Sequence, residues 1–334
     1  MKGLGTRVAA GVAAGVAIYV GFSIWADVGR VGAALRSFSG WAAAGACLLA
    51  AGNYAIRFGR WQYYLRVLGL RIAPGDSATV FLAGFALTVT PGKLGEAVKA
   101  LLLRASHGIS ATRTAPIVIA ERVTDLIALL LLALVGVFQF DVDRRFLIIG
   151  AGLVAAGVLV ISVDALAQRA IAIAGRLPLL RRFAHRMEEF HAHTAVLLAP
   201  RPLLIASAIA AGAWFLECVA FWLVVRGFPG AMIDLRAATF IYAAMTVAGA
   251  LSFLPGGLGV TEAGMLALLV RFGVGIDRGT AAAATFVTRA ATLWFAVALG
   301  LPALIIYTRR KHVRERDLVA AAALAASETK SEAQ

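Results

Sequence analysis

The sequence predicts an all-helical, polytopic integral membrane protein with about six full spans and two helical hairpins broken by proline and glycine, eight hydrophobic segments in all. Of the 334 residues, 61% are hydrophobic and 15% are charged. A soluble domain has roughly 45 to 50% apolar and about 25% charged residues. Apolar runs recur along most of the chain, and the mean hydropathy is +0.85. This surplus cannot all be buried in a water-soluble core, so the predicted solvent is lipid.

Six apolar runs approach the roughly 20 residues that a helix needs to cross about 30 Å of hydrocarbon. The first follows Lys2 and Arg7 and is 19 residues long. Because the apolar region of a secretory signal has about 7 to 15 residues, this run is predicted to be an uncleaved span. The six runs are residues 8–26, 40–56, 115–140, 146–163, 203–225 and 280–307.

Two further apolar segments are interrupted. Residues 77–90 stop at Pro91 and are followed by residues 94–103, and residues 237–254 stop at Pro255 and are followed by residues 260–272. Broken helices lie at membrane depth only where protein or a water-filled cavity satisfies the freed backbone groups. Two re-entrant hairpins are therefore predicted, and full crossings are the alternative.

The two breaks belong to an internal duplication. Each contains the pattern Pro-Gly-x-Leu-Gly followed by a glutamate, at an offset of 164 residues between the prolines. The same offset pairs Asn53 with Glu217, and three inserted residues pair Arg122 with Arg289. Such self-similarity predicts two structural repeats, with the first half at about residues 40–140 and the second at about residues 203–307.

Basic residues predict the orientation of the repeats. Lysine and arginine number 32 against 18 acidic residues, and they cluster in residues 2–7, 57–71, 169–201 and 309–316. Because positive residues are retained in the cytoplasm, all four clusters and both termini are predicted to be cytoplasmic. The first hairpin then enters from the cytoplasmic side and the second from the outside, which is an inverted repeat. Residues 164–201 are predicted to form an amphipathic linker on the cytoplasmic leaflet, and residues 308–334 a charged tail.

The charge excess and the cysteines also exclude some functions. A net charge of +14 would suggest nucleic acid in a soluble protein, but here the arginines lie between apolar runs, where they meet anionic lipid headgroups. Cys47 and Cys218 lie inside apolar runs and form neither a disulfide framework nor a zinc motif. We expect no nucleic-acid partner, metal or cofactor.

The repeated breaks predict a central site. Interrupted segments at matching positions of inverted halves mark the binding site of many transporters, although Pro-Gly also kinks ordinary spans. Pro91 and Pro255 are predicted to start the second arms of the hairpins, which leaves the amides of residues 92–95 and 256–259 unpaired at helix N-termini. Such amides attract anions, and lipid phosphate is the expected anion here. The candidate phosphate-binding residues are Gly92, Lys93, Gly95, Gly256, Gly257, Gly259, Arg122 and Arg289.

Acidic residues in the apolar segments form the second candidate set. An ionisable side chain costs about 2.5 to 3.5 kcal/mol at the centre of a span, so each one needs a reason. They either line the headgroup path or form structural ion pairs. Arg122 can pair with Asp125 three residues later, and Arg289 needs a partner from another helix, with Glu217 or Glu262 as candidates. The acidic residues are Glu96, Glu121, Asp125, Glu217 and Glu262.

A basic and aromatic cluster follows the second run. Arginine, tryptophan and tyrosine are typical of the membrane–water interface, so these residues are predicted to form a headgroup-level belt. They are Arg57, Arg60, Trp61, Tyr63, Tyr64 and Arg66.

Three motifs in order carry a resemblance to a known family. Residues 90–96 read TPGKLGE, residues 121–126 read ERVTDL and residues 254–262 read LPGGLGVTE. Together they closely resemble the lysylphosphatidylglycerol synthase transmembrane-region family, also called flippase-like domain proteins, over residues 5–310. The resemblance implies an inner-membrane protein that handles lipids, and some family members move aminoacylated phospholipid between leaflets.

The resemblance leads to two alternative functions. Bifunctional members carry a soluble aminoacyl-transfer domain after the membrane part, whereas 27 residues follow Tyr307 here, so synthase activity is not expected. The first prediction is a lipid translocator for a phospholipid or a polyprenyl-phosphate lipid. The alternative is a non-catalytic accessory protein of a membrane glycosyltransferase or lipid-modifying enzyme.

Overall fold

A computed structural model describes residues 28–89, 96–137 and 184–310, together with Gly21, Arg145, Ile148 and Gly152. Within these ranges the regular elements are helices. The predicted spans at residues 8–26 and 146–163, much of the linker and most of the tail lie outside the described residues.

The first half contains two long helices on either side of a short hairpin. Its elements are α1 (Val28–Ser37), α2 (Gly40–Val67), the hairpin helices α3 (Pro74–Phe85) and α4 (Val98–His107), and α5 (Ala111–Val137). Helix α2 extends past the predicted apolar run because its polar and aromatic second part is buried against other helices.

After the linker, two long helices again lie on either side of a pair of shorter helices. The last long helix begins at Arg278, after Asp277, whose carboxylate accepts a hydrogen bond from the Thr280 amide at 2.8 Å. This bond and one from the Thr280 hydroxyl hold the pKa of Asp277 below its ordinary value. The elements are α6 (Ala184–Leu197), α7 (Pro200–Arg226), α8 (Leu235–Leu251), a 3₁₀ turn (Pro255–Gly257), α9 (Val260–Phe272) and α10 (Arg278–Arg310), which contains a π-helical turn (Ala290–Trp294).

Helices α7 and α10 are long and apolar enough to cross a membrane, each with a mean hydropathy of 2.0 over its most apolar stretch. Helices α2 and α5 are similarly long, at 28 and 27 residues, but contain several charged side chains. Large apolar side chains such as Trp41, Leu48 and Leu204 lie on the outside of the bundle and are 70% exposed or more. An apolar exterior around charged residues is expected of a protein in lipid.

Contacts at one end of the bundle involve the open end of the first hairpin. The Arg113 guanidinium donates to the Leu68 carbonyl at 2.8 Å, which joins the start of α5 to the end of α2. Asp76 of α3 lies 3.6 Å from His107 of α4 and 3.6 Å from Arg310. The end of α10 therefore lies beside the open end of the first hairpin.

Contacts at the opposite end involve the second hairpin. The Ser39 amide donates to the Gly227 carbonyl at 2.9 Å, which places the start of α2 beside the end of α7. Met232 and Val274, just outside the two hairpin helices α8 and α9, form a small antiparallel bridge. The two hairpins thus open at opposite ends of the bundle.

Glycines let each half pack closely against the hairpin of the other. A Cβ at Gly136 of α5 would lie 2.3 Å from the Phe240 Cβ of α8, and one at Gly300 of α10 would lie 2.2 Å from the Ala86 nitrogen after α3. These distances leave no room for a side chain, so both contacts depend on glycine.

The described part of the linker is the helix α6. Thr194, Leu197 and Leu198 are buried, and the Thr112 hydroxyl at the start of α5 donates to Glu189. One face of the linker helix therefore packs on the bundle, and its position on a membrane surface stays a prediction.

Candidate functional site

A cavity of about 280 Å³ lies at the centre of the bundle. Helices of both halves contribute to its wall, which combines apolar and aromatic side chains with a small set of polar ones. The charged and phenolic residues that line it are Tyr54, Arg57, Arg122, Asp125, Glu217, Tyr242 and Arg289.

The turn of the second hairpin forms part of the cavity wall. Gly256 and Gly257 line the cavity, and a Cβ at Gly256 would lie 3.7 Å from the Val89 Cα, beyond α3 of the first hairpin. The inner parts of both hairpins thus approach each other there. The candidates Gly92, Lys93 and Gly95 lie outside the described residues.

Glycine is required at this turn because of its backbone conformation. The φ angles of Gly256, Gly257 and Gly259 are 61°, 68° and 91°. Side chains are strained in this left-handed region, which glycine adopts without steric cost. The repeated glycines therefore have a conformational explanation independent of any ligand.

The prediction that the amides of this turn are unpaired is wrong for Gly257 and Gly259. The Gly257 amide donates to the Leu254 carbonyl at 2.9 Å, and the Gly259 amide donates to Glu262 Oε2 at 2.7 Å. Helix α9 begins at Val260 rather than at the proline, and the Glu262 side chain turns back to cap it. These amides already have acceptors in the protein.

Arg289 links three parts of the second half. Its Nε donates to Glu262 Oε1 at 2.7 Å, and its Nη2 donates to the Gly256 carbonyl at 2.6 Å. The predicted partner on another helix is therefore confirmed as Glu262. Both side chains are more than nine-tenths buried, so this pair is held largely out of solvent.

The first half contains the corresponding pair. Arg122 Nη2 lies 2.9 Å from Glu96 Oε2, and the two residues are 26 positions apart, against 27 for the pair in the second half. The predicted pairing of Arg122 with Asp125 is also confirmed, at 3.1 Å. The Arg122 side chain is 27% exposed and the Arg289 side chain 9%, so the two pairs differ in access.

More ion pairs surround Arg122. Lys99 Nζ lies 2.6 Å from Glu121 Oε2, and Arg60 Nη2 lies 2.7 Å from Asp125 Oδ1. Lys99 Nζ lies 4.0 Å from Glu96 Oε2, farther than from Glu121. Helices α2, α4 and α5 are thus connected through buried charges.

The prediction of a headgroup-level belt is wrong for four of its six residues. Arg57, Arg60, Trp61 and Tyr64 are buried, with at most 7% exposure. Their composition resembles that of an interfacial belt, but together with Asn53 they recur every three or four residues. That spacing puts them on one face of α2. The periodicity was the available signal for an inward-facing polar stripe.

The cavity also contains polar aromatic residues that sequence reasoning missed. The Tyr242 hydroxyl donates to Glu217 Oε2 at 2.5 Å, and the Trp214 indole donates to Asp125 Oδ1 at 3.0 Å. The Tyr54 hydroxyl donates to a carbonyl in the π-helical turn of α10. Each connects residues distant in sequence, which no local pattern indicates.

A helical bundle with an apolar exterior and a charged central cavity fits a polytopic membrane protein. The chain belongs to the family described as lysylphosphatidylglycerol synthase TM region, whose model matches residues 12–300. The resemblance in the sequence is therefore confirmed. Over 273 residues the chain is 28% identical to a protein of Methanothermobacter thermautotrophicus named UPF0104 membrane protein, covering 73% of this chain and 79% of the relative.

Proposed function

We propose that the protein binds the phosphate-bearing headgroup of a membrane lipid in the central cavity and moves the lipid between leaflets. The observation that carries the proposal is a cavity with three arginines in its wall inside a bundle with an apolar exterior. Arginine presents a planar fork of donors that matches phosphate. A volume of about 280 Å³ is below the range of about 300–1,000 Å³ for drug-sized ligands, which suits a headgroup whose acyl chains stay in lipid.

The proposal includes an inverted repeat of six spans and two re-entrant hairpins. The hairpins open at opposite ends of the bundle, and Glu96–Arg122 and Glu262–Arg289 are equivalent pairs in the two halves. Hairpins that enter from opposite leaflets would allow the cavity to be reached from either side. We place the protein in the inner membrane with both termini cytoplasmic, which the basic residues near the end of α10 support.

No chemical step is part of the proposed function. The family description refers to the transmembrane region of a synthase, which supports a non-catalytic membrane domain. Partnership with a glycosyltransferase or a lipid-modifying enzyme remains compatible with a protein that binds a lipid headgroup.

The test is leaflet-resolved lipid movement in vesicles that contain only this protein. We expect fluorescent phosphatidylglycerol to cross faster than in protein-free vesicles, and fluorescent glucosylceramide, which lacks phosphate, to show no such gain. Gly256→Leu should reduce the movement, because its side chain would point towards Leu293 and Val89 at the cavity wall. The matched control is Gly212→Leu, at an exposed site of α7 with open space around it.

Thermal unfolding of both variants separates loss of function from loss of fold. A folded wild-type protein that retains phosphatidylglycerol without moving it would contradict translocation and favour the accessory role.

A further inference from the structure

We infer that Arg57 is the residue that holds the phosphate, and that Arg122 and Arg289 are structural. This inference rests on the proposed function and identifies which cation of the cavity meets the ligand. It follows from the contacts that each of the three arginines already makes.

Arg122 and Arg289 are engaged in short contacts with other groups. Arg289 contacts Glu262 at 2.7 Å and the Gly256 carbonyl at 2.6 Å, and Arg122 contacts Glu96 at 2.9 Å. Short charge-assisted bonds are among the strongest in proteins. A phosphate that displaced them would remove the shortest cationic contact of Glu96 and the described cationic contact of Glu262, which is costly.

Arg57 makes no comparably short contact with an acidic side chain of the described first half. Each of the three buried acids of the described first half has a cation within 3 Å: Glu96 has Arg122, Glu121 has Lys99 and Asp125 has Arg60. Arg57 is the fourth buried or half-buried cation of this group.

The contacts of Arg57 itself are weak. Its described carboxylate contact is to Glu96 at 3.8 Å, which is beyond hydrogen-bond distance, and its Nε has no hydrogen-bond partner. A phosphate can therefore bind to Arg57 without breaking a short ion pair.

Aromatic rings hold the Arg57 guanidinium at the cavity wall. Its Cζ lies 5.4 Å from the centre of the Phe85 ring and 6.0 Å from that of the Trp214 ring, and the residue is 7% exposed. Rings can stabilise the face of a guanidinium without using its N–H groups. The donors thus stay available for the two oxygen atoms of a phosphate.

The buried charges differ between the two halves. In the described second half they are Glu217, Glu262 and Arg289, so acids exceed cations there. In the described first half the buried or half-buried cations exceed the acids: Arg57, Arg60, Lys99 and Arg122 against Glu96, Glu121 and Asp125. This excess of cations favours an anion at Arg57 over one in the second half.

The test measures the binding of two probes to the purified full chain: short-chain dihexanoyl phosphatidylglycerol and inorganic phosphate. Arg57→Gln is expected to weaken binding of the lipid about tenfold or more, because it removes a charge-assisted contact. Arg57→Lys should fall between wild type and Arg57→Gln, since lysine keeps the charge but lacks the planar fork. Thermal unfolding should change little in either variant, because Glu96 keeps Arg122.

The matched control is Arg66→Gln, an exposed arginine on the same helix, which should bind as wild type does. If Arg57→Gln also weakens the binding of inorganic phosphate, Arg57 binds phosphate in general. If only the binding of the lipid is weakened, the site requires the whole headgroup.

Two results would overturn the inference. If Arg57→Gln binds the lipid as tightly as wild type while Arg122→Gln or Arg289→Gln does not, another arginine holds the phosphate and the proposed function stands. If the folded wild-type protein binds neither probe, the proposed function fails together with the inference.

Discussion

At the scale of single residues, Arg122 and Arg289, which the proposed repeat pairs with each other, have different charges around them. Removing Arg122 leaves Glu96 with Arg57 at 3.8 Å and Lys99 at 4.0 Å, and leaves Asp125 with Arg60. In the described part of the chain Glu262 has one cationic contact, which is Arg289. The pair of Arg289 with Glu262 is therefore expected to contribute more to stability than the pair of Arg122 with Glu96.

We predict that Arg289→Gln lowers the free energy of unfolding by about 3–5 kcal/mol, the usual cost of breaking a buried pair. Arg122→Gln is expected to cost about 1–2 kcal/mol, because its acids keep other cations. Thermal and denaturant unfolding in the same detergent would measure both. The control is the double variant Arg289→Gln/Glu262→Gln, which should recover much of the loss. Equal effects of the two single variants would contradict the argument.

At the scale of elements, the second hairpin depends on the close approach of its two helices near the turn. A Cβ at Gly249 of α8 would lie 2.1 Å from the Thr261 Oγ1 of α9 and 3.3 Å from the Gly257 Cα. Neither atom belongs to the far end of a flexible side chain. The spacing between α8 and α9 is therefore set by glycine at this position.

We predict that Gly249→Ala destabilises the protein by about 1–3 kcal/mol, the usual cost of overpacking. The matched variant is Gly212→Ala on the exposed face of α7, where open space surrounds the site. It should be neutral or raise stability by about 0.5–1 kcal/mol, since alanine favours a helix over glycine. Thermal unfolding compares the two. A harmless Gly249→Ala would mean that the hairpin helices can separate freely.

At the scale of the whole molecule, opposite hairpin openings lead to a labelling prediction. In a variant without Cys47 and Cys218, a cysteine at Ser110 should react only from the cytoplasmic side and one at Val274 only from the outside. Both positions are exposed and follow α4 and α9 respectively. Membrane-impermeant maleimide on right-side-out and inverted vesicles would measure the two. Reaction of both from the same side would rule out the inverted arrangement.

Val274 is a better labelling site than the neighbouring Gly275. Gly275 lies in the link between α9 and α10 and has a φ of 69°. A Cβ there would lie 2.3 Å from the Gly230 carbonyl oxygen. A cysteine at that glycine would disturb the link itself. At Val274 the side chain is 69% exposed, so labelling reports access to the side of the membrane rather than a local change.

Much of the helical framework could be predicted because its signals are local. The predicted run at residues 203–225 lies within α7 (Pro200–Arg226), and the run at residues 260–272 has the same bounds as α9 (Val260–Phe272). Proline and glycine act on their own stretch of backbone, so the broken segments could also be recognised from sequence. The matching positions of Arg122 and Arg289 likewise depend on sequence alone.

The roles of the charged residues depend on helices that are far apart in the chain. Composition suggested a surface belt for Arg57, whereas packing against Phe85 and Trp214 puts its guanidinium in the cavity wall. Free amides were expected at Gly259, but the Glu262 side chain accepts from this amide. Hydrophobic length and backbone breaks are properties of a segment, so the amino-acid order specifies them. Which cation is neutralised and which faces the cavity follows from distances between segments, and these arise only when the helices pack.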